Sequence, residues 1–278
     1  MSTHVRGRRR NEHLLFVALC IFTFFNLIPL LWAVLTSFKF PADAFSIPPT
    51  IIFEPTLEFH WQVWFENDFL RYLVNSLIVS AGTVLISVPC GSLAAYALSR
   101  IPRRSAGPIL NVLFTIRMFP HMLLAIPFFV MGTFLNMIDT YPILILALVA
   151  INQPFTIWLM YGFFLDIPRD LDEAAAIDGC NSWQAFRIVI LPLARPGMTV
   201  AALFSLLMSY NEFLFALVLT GVDTKTLPVA IASFGGEDIS LWSVSAAGAV
   251  GIMLPIVIIM LLLQRNLVRG LTAGAVKG

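Results

Sequence analysis

Residues Glu173–Pro192 read EAAAIDGCNSWQAFRIVILP, a polar island in a chain whose other long stretches are apolar. Asp170 and Asp172 suit the positive end of a helix, Glu173 to Ile177 are mostly good helix formers, and Gly179 stands where a C-cap glycine would end the run. A second short helix is expected over Ser182–Ile190, with Ser182 as its cap. Two short helices meeting at a glycine predict a compact knob.

Around this island the composition is that of a bilayer protein. Apolar residues make up 59% of the 278 and charged residues 12%, against about 25% charged in a soluble domain. Six runs approach the ~20 apolar residues a span needs: Leu14–Leu35, Leu73–Leu98, Pro108–Met131, Pro142–Leu165, Gly197–Thr220 and Val244–Leu263. The expected fold is an all-α membrane protein of six transmembrane helices. The division is a terminus at 1–13, a six-helix domain at 14–265 with a polar loop at 166–196, and a tail at 266–278. Arg6, Arg8, Arg9 and Arg10 precede the first run as in a signal peptide, but no small-residue cleavage site follows it, so a retained anchor is expected.

Basic residues set the orientation. One set of loops holds Arg6, Arg8, Arg9, Arg10, Arg100, Arg103, Arg104, Arg169, Arg187, Arg195, Arg265, Arg269 and Lys277; the other holds Lys39, Arg71 and Lys225. Both termini and the Glu173 loop are therefore expected in the cytoplasm. On the opposite side, Pro41, Pro48, Pro49 and Pro55 exclude a span, and Trp61, Trp64 and Phe65 suit a short interfacial helix. The other long loop there, Gly221–Trp242, carries the acidic patch of Gly235, Gly236, Glu237 and Asp238.

Within the spans, Ser87, Gly91 and Ala95 recur at every fourth position, a spacing that lets helices approach closely. Pro120 and Pro127 must bend the third run, and a bent helix is tolerated where freed carbonyls face protein or a wet cavity. Arg117, three residues before Pro120, is a functional candidate by virtue of its depth. It either pairs with Glu212 or meets solute. Asn152, Gln153, Tyr210, Asn211 and Glu212 complete the candidate pathway, with interhelical hydrogen bonding the simpler role for Asn152 and Gln153. No catalytic constellation or metal-ligand spacing is present, and no P-loop precedes a Gly-Lys-Ser/Thr. Energy for any pumping must come from another polypeptide.

The loop motif resembles the EAA signature of bacterial ABC importer permeases, carried by Glu173, Ala174, Ala175, Asp178, Gly179, Leu191 and Pro192. Ile167-Pro168, Asn211-Glu212-Phe213 and the tail Gly270–Gly278 extend the resemblance to the smaller permease of the maltose-transporter type, in the branch for sugars, polyols and glycosides. The resemblance implies a type I importer fold in the inner membrane, with the EAA loop as the socket for an ATPase. It also implies a second homologous permease, two ATPase subunits, a binding protein outside the membrane, surrounding lipid and a carbohydrate-like small molecule, with no nucleic acid among the partners. No cofactor is expected on this chain; ATP and Mg would sit on the ATPase. The alternative is a proton-coupled secondary carrier with Arg117 and Glu212 as relay groups, although no internal repeat of the kind such carriers show is evident.

Overall fold

The computed structural model describes the backbone over residues 2–234 and 241–273, with side chains over 14–233 and 241–264. The acidic patch at Gly235–Asp238 and the last five tail residues lie outside the described residues, as do the side chains of the terminal arginines. Among the described residues the chain is helical, without strands.

One compact unit comprises Met1–Phe69 with Ile231–Met253. It contains α1 (Ser2–Thr36), α2 (Pro41–Ala44), α3 (Glu58–Trp61) running into a π-helical turn, Gln62–Glu66, and the start of α13 (Trp242–Ala273). The apolar window of α1 is unburied, as suits a helix that is apolar all round. Lys39 is fully buried, yet its Nζ donates to the Thr50 carbonyl at 2.6 Å and lies 4.4 Å from the Trp32 ring centre. A carbonyl and an aromatic face together make that buried ammonium tolerable.

The second unit comprises Leu70–Ala230 with Leu254–Gly278. Its elements are α4 (Phe69–Arg100), α5 (Arg103–Arg117), α6 (His121–Phe134), α7 (Tyr141–Leu165), α8 (Asp170–Ile177), α9 (Ser182–Gln184), α10 (Leu191–Tyr210), α11 (Leu214–Leu219) and the first half of α12 (Leu227–Phe234), followed by the end of α13. Helix α7 lies at the centre, packed on α5, α6, α10 and α11. Its side chains seat in glycine notches on its neighbours. A Cβ placed on Gly82 or Gly91 of α4 would come within 2.6 Å of Ile145 or Thr156, and one on Gly197 of α10 within 2.5 Å of the Phe163 ring. Gly91 and Ser87 are thus packing positions, and Ser87 Oγ lies 3.3 Å from Thr156 Oγ1 across the contact.

The second, fourth and sixth predicted spans fall within α4, α7 and α13. The third, Pro108–Met131, is bent as Pro120 predicts: two helices, α5 and α6, meet at 86° at Met118–Pro120, because proline there cannot donate to the preceding turn. The fifth, Gly197–Thr220, is displaced: a continuous helical run covers Ser182–Tyr210, and the chain breaks at Asn211–Phe213 before α11. The run is continuous because a π-helical turn, Ala185–Ile190, precedes Pro192, loosening the ladder where the proline ring and missing N–H would otherwise clash. Among the described residues, five helices are long and apolar enough to cross a membrane, or six with the bent pair counted as one.

At the Tyr141 end of α7, Asp139 closes a clasp. Its carboxylate accepts from the backbone N–H of Gly221, Asp223 and Thr224 at 2.8, 3.0 and 2.9 Å, and from the Thr224 hydroxyl at 2.7 Å. Asn75 of α4 joins by donating to the Asp223 and Lys225 carbonyls and accepting from Tyr141. Burial opposes ionisation of Asp139, but these four donors outweigh it and hold its pKa below the ordinary carboxylate range.

Two outcomes follow from this packing. Gly197→Ala should lower the stability of the purified protein by about 1–3 kcal/mol, because Phe163 must leave its rotamer to admit the methyl group; an unchanged thermal midpoint would refute the notch. Because the folded-state pKa of Asp139 is depressed, its stabilisation is complete above the unfolded carboxyl range near pH 4 and is lost as pH falls through the folded pKa. The stability gap between the natural protein and Asp139→Asn should therefore be constant above about pH 5 and close below about pH 4 in pH-resolved thermal unfolding.

Candidate functional site

The knob forms from helix-end chemistry. In α8 the acids Asp170, Asp172 and Glu173 fill the first turn, where they offset the positive end of the dipole. The helix ends in a Schellman arrangement: the Cys180 N–H bonds to the Ala175 carbonyl at 2.9 Å, that of Gly179 to Ala176 at 3.1 Å, and Gly179 takes φ +88°. The next helix is capped by Asn181 rather than Ser182. Asn181 Oδ1 accepts from the Gln184 N–H while Gln184 Oε1 accepts from the Asn181 N–H, both at 2.9 Å. The reciprocal pair satisfies two otherwise free donors, which a serine one residue later would not.

Glu173, Ala174 and Asp178 are exposed, Ala175 is buried, Leu191 is half-buried, and Pro192 stands exposed at the second position of α10. Exposed apolar side chains lie among them: Ile177 is 86% exposed and Trp183 57%. The knob therefore presents several exposed carboxylates, Asp170, Glu173 and Asp178, beside apolar surface and a glycine turn. Such a patch suits docking by another protein.

The second site lies at mid-depth of α7. Arg117 ends α5 at the 86° break, and with His121, Leu148, Asn152, Met208 and Glu212 it lines a cavity of about 230 Å³. The guanidinium lies 4.7 Å from the Phe155 ring centre and places Nη2 3.9 Å from Met208 Sδ. Arg117 Nη1 and Asn152 Nδ2 are buried, and the fold itself leaves both donors without a hydrogen-bond partner. A larger hollow of about 530 Å³ beside α4, α10 and α13 is apolar apart from Arg195 and Thr199, and it lacks converging polar groups.

Arg117 and Glu212 share the cavity without forming an ion pair; among the described residues the pairs are Arg71–Asp223 and Arg100–Asp172. Glu212 is engaged elsewhere, with Oε1 accepting from the N–H of Leu214 and Phe215 at 3.0 and 3.2 Å and so capping α11. Gln153 donates to the Ser87 carbonyl at 3.3 Å, an interhelical bond of the expected kind. Tyr210 is buried at the end of α10, and Asn211 is exposed with its side chain on the Leu207 carbonyl; neither lines the Arg117 cavity. Among the described residues no group of three His, Cys, Asp or Glu side chains could hold a metal. The capping role of Glu212 was legible in principle, since a carboxylate directly before the apolar run Phe213–Leu219 suits the positive end of a helix.

Residues 87–273 match the family described as the binding-protein-dependent transport system inner membrane component. The chain belongs to this family. The permease is 37% identical over 262 residues to the trehalose transport system permease protein SugB of Mycobacterium tuberculosis, covering 91% of this chain and 93% of that protein. It is 33% identical over 266 residues to the sulfoquinovosyl glycerol transport system permease protein SmoH of Agrobacterium fabrum, covering 95% and 93%. Its fold matches a bacterial ABC transporter involved in import of the acidic polysaccharide alginate, with a TM-score of 0.72 at 23% identity over 94% of this chain and 97% of that one. The permease is thus a multi-pass inner-membrane subunit of an ABC importer and a transporter component rather than an enzyme. Family membership disfavours the proton-coupled carrier.

Since Glu212 caps α11 rather than pairing with Arg117, Glu212→Ala should cost about 0.5–2 kcal/mol in thermal unfolding, as loss of a cap does, while Glu212→Gln, which keeps an acceptor, should cost less. Adding Arg117→Met should restore none of the loss. Recovery in the double variant would instead mark a structural ion pair.

Proposed function

We propose that the permease forms one half of the pathway of an ATP-driven importer for a sugar, polyol or glycoside, with the Arg117 cavity contributing to solute passage. Relatives named for trehalose and for sulfoquinovosyl glycerol transport support the glycoside class. In this reading Arg117 and Asn152 offer free donors to hydroxyl groups, and Gln153, Tyr210, Asn211 and Glu212 shape the helices around the path. Loop 166–196, the termini and the tail 266–278 face the cytoplasm, as the arginine distribution supports.

The knob is the coupling element. Glu173, Ala174, Ala175, Asp178 and Gly179 dock on an ATPase subunit, with Leu191 and Pro192 fixing the return into α10. The observation that carries this is a doubly capped knob with the apolar side chains of Ile177 and Trp183 exposed beside Glu173. A second homologous permease, two ATPase subunits and a binding protein outside the membrane complete the assembly; a solved neighbour by fold is an alginate transporter in complex with an alginate pentasaccharide-bound periplasmic protein. ATP and Mg bind on the ATPase, and this chain carries no cofactor. Closure of the ATPase pair then reorients the cavity by rigid-body motion.

Glu173→Ala removes a charge-assisted contact of about 1.5–3 kcal/mol. The variant should insert normally, but the complex should lose ATPase subunits on purification or lose ATP-driven uptake. Full ATPase stoichiometry with normal uptake would overturn the docking assignment.

A further inference from the structure

Helix α8 has eight residues, too few to hold its shape unaided, and its two sides do different things. Glu173, Ala174 and Ile177 share the exposed side; Leu171, Asp172 and Ala175 share the inward side. On the inward side Asp172 is held at both oxygens. Tyr96 Oη donates to Oδ1 at 2.5 Å, and Arg100 Nε lies 2.7 Å from Oδ2 in an ion pair of which only 17% and 21% of the two side chains is exposed. That contact is coulombic rather than a well-directed hydrogen bond, since neither atom meets the angular requirement of one.

The same residues reach three other elements. Arg100 Nη1 donates to the Phe164 carbonyl at the end of α7, at 3.2 Å. Arg169, just before α8, donates to the Ser99 carbonyl at 3.0 Å, satisfying a free acceptor at the C-terminal end of α4. The Tyr96 ring packs against Phe164 and against Phe186 of the π-helical turn, with centroids 5.6 and 4.9 Å apart. We infer that Tyr96, Arg100 and Asp172 are positioning residues: a clamp that makes α8 move as one body with α4, so that displacement imposed on the Glu173 side enters the bundle through the second span.

The clamp stands at one end of α4, and Asn75, bonded into the Asp139 clasp, stands near the other. The 25 residues between them span about 37 Å at 1.5 Å per residue. A load entering at Arg100 is therefore delivered towards the opposite end of the bundle along α4, whose hydrogen-bond ladder is interrupted once, at Pro89. The inference rests on α8 as the ATPase contact. It adds which bonds carry the motion onward.

The test uses the assembled importer with Cys20, Cys90 and Cys180 replaced by Ser and spin labels placed at Leu93→Cys on α4 and Ala176→Cys on α8. Distances are measured by double electron–electron resonance without nucleotide and after trapping with Mg-ATP and vanadate. With the clamp intact the distance distribution should be the same in both states. Asp172→Asn should make it state-dependent, and Asp172→Glu should restore invariance. If Asp172→Asn does not assemble, Tyr96→Phe, which deletes only the hydroxyl contact, is read in its place and should broaden the trapped-state distribution. Invariance in Asp172→Asn, or in Tyr96→Phe where that is read, or a state-dependent distance with the clamp intact, overturns the clamp. Failure of the underlying assignment reads differently: Glu173→Ala would keep its full complement of ATPase subunits and its uptake, whatever the label distances show.

Discussion

Everything in the larger unit depends on how closely its helices approach α7. In a bilayer, lipid is as apolar as leucine, so helices gain little by hiding apolar surface from water and must gain by fit. Gly82, Gly91 and Gly197 supply the fit by admitting Ile145, Thr156 and Phe163 into their neighbours' backbones. That closeness brings Ser87 within reach of Thr156 and Gln153. It also fixes α7 as a central strut, with the clasp at its Tyr141 end and the knob just beyond Leu165.

Against this strut the two breaks acquire their role. The turn at Met118–Pro120 and the interruption at Asn211–Phe213 both adjoin one cavity, since Arg117 and Glu212 line it together. Broken helices at membrane depth leave backbone groups that only protein or water can satisfy. Glu212 meets that requirement for α11 by capping it, which leaves Arg117 uncompensated by the nearest carboxylate. The guanidinium lies against an aromatic face and a thioether, and its Nη1 has no hydrogen-bond partner.

The two ends of the larger unit follow contrasting polar designs. At the clasp, four donors converge on one carboxylate, so the anion is satisfied without a cation. At the knob a mostly buried Asp–Arg pair is used. Removing one member of such a pair strands the other, which makes it a poor device for stability alone but a stiff one for holding elements in register. Tyr96 and the Phe164 carbonyl supply bonds that the pair lacks, and Arg169 adds a separate one to the Ser99 carbonyl.

The sequence by itself determined the membrane class, most of the spans and the glycine end of α8. These depend on local or one-dimensional properties: length of apolar run, helix propensity and the positive φ that Gly179 accepts. Even the departures have local causes, since Asn181 displaced Ser182 as cap through a reciprocal bond with Gln184, and Pro192 fused two helices through a π-helical turn. Tertiary structure alone decided what the polar side chains do. Asp139 and Gly221 are 82 residues apart, and Tyr96 and Asp172 are 76 apart, so no periodicity in the chain pairs them. The separation of Arg117 from Glu212 was likewise invisible in sequence. It depends on the 86° bend that follows Arg117, whereas the cap that occupies Glu212 is local, made to residues two and three positions on.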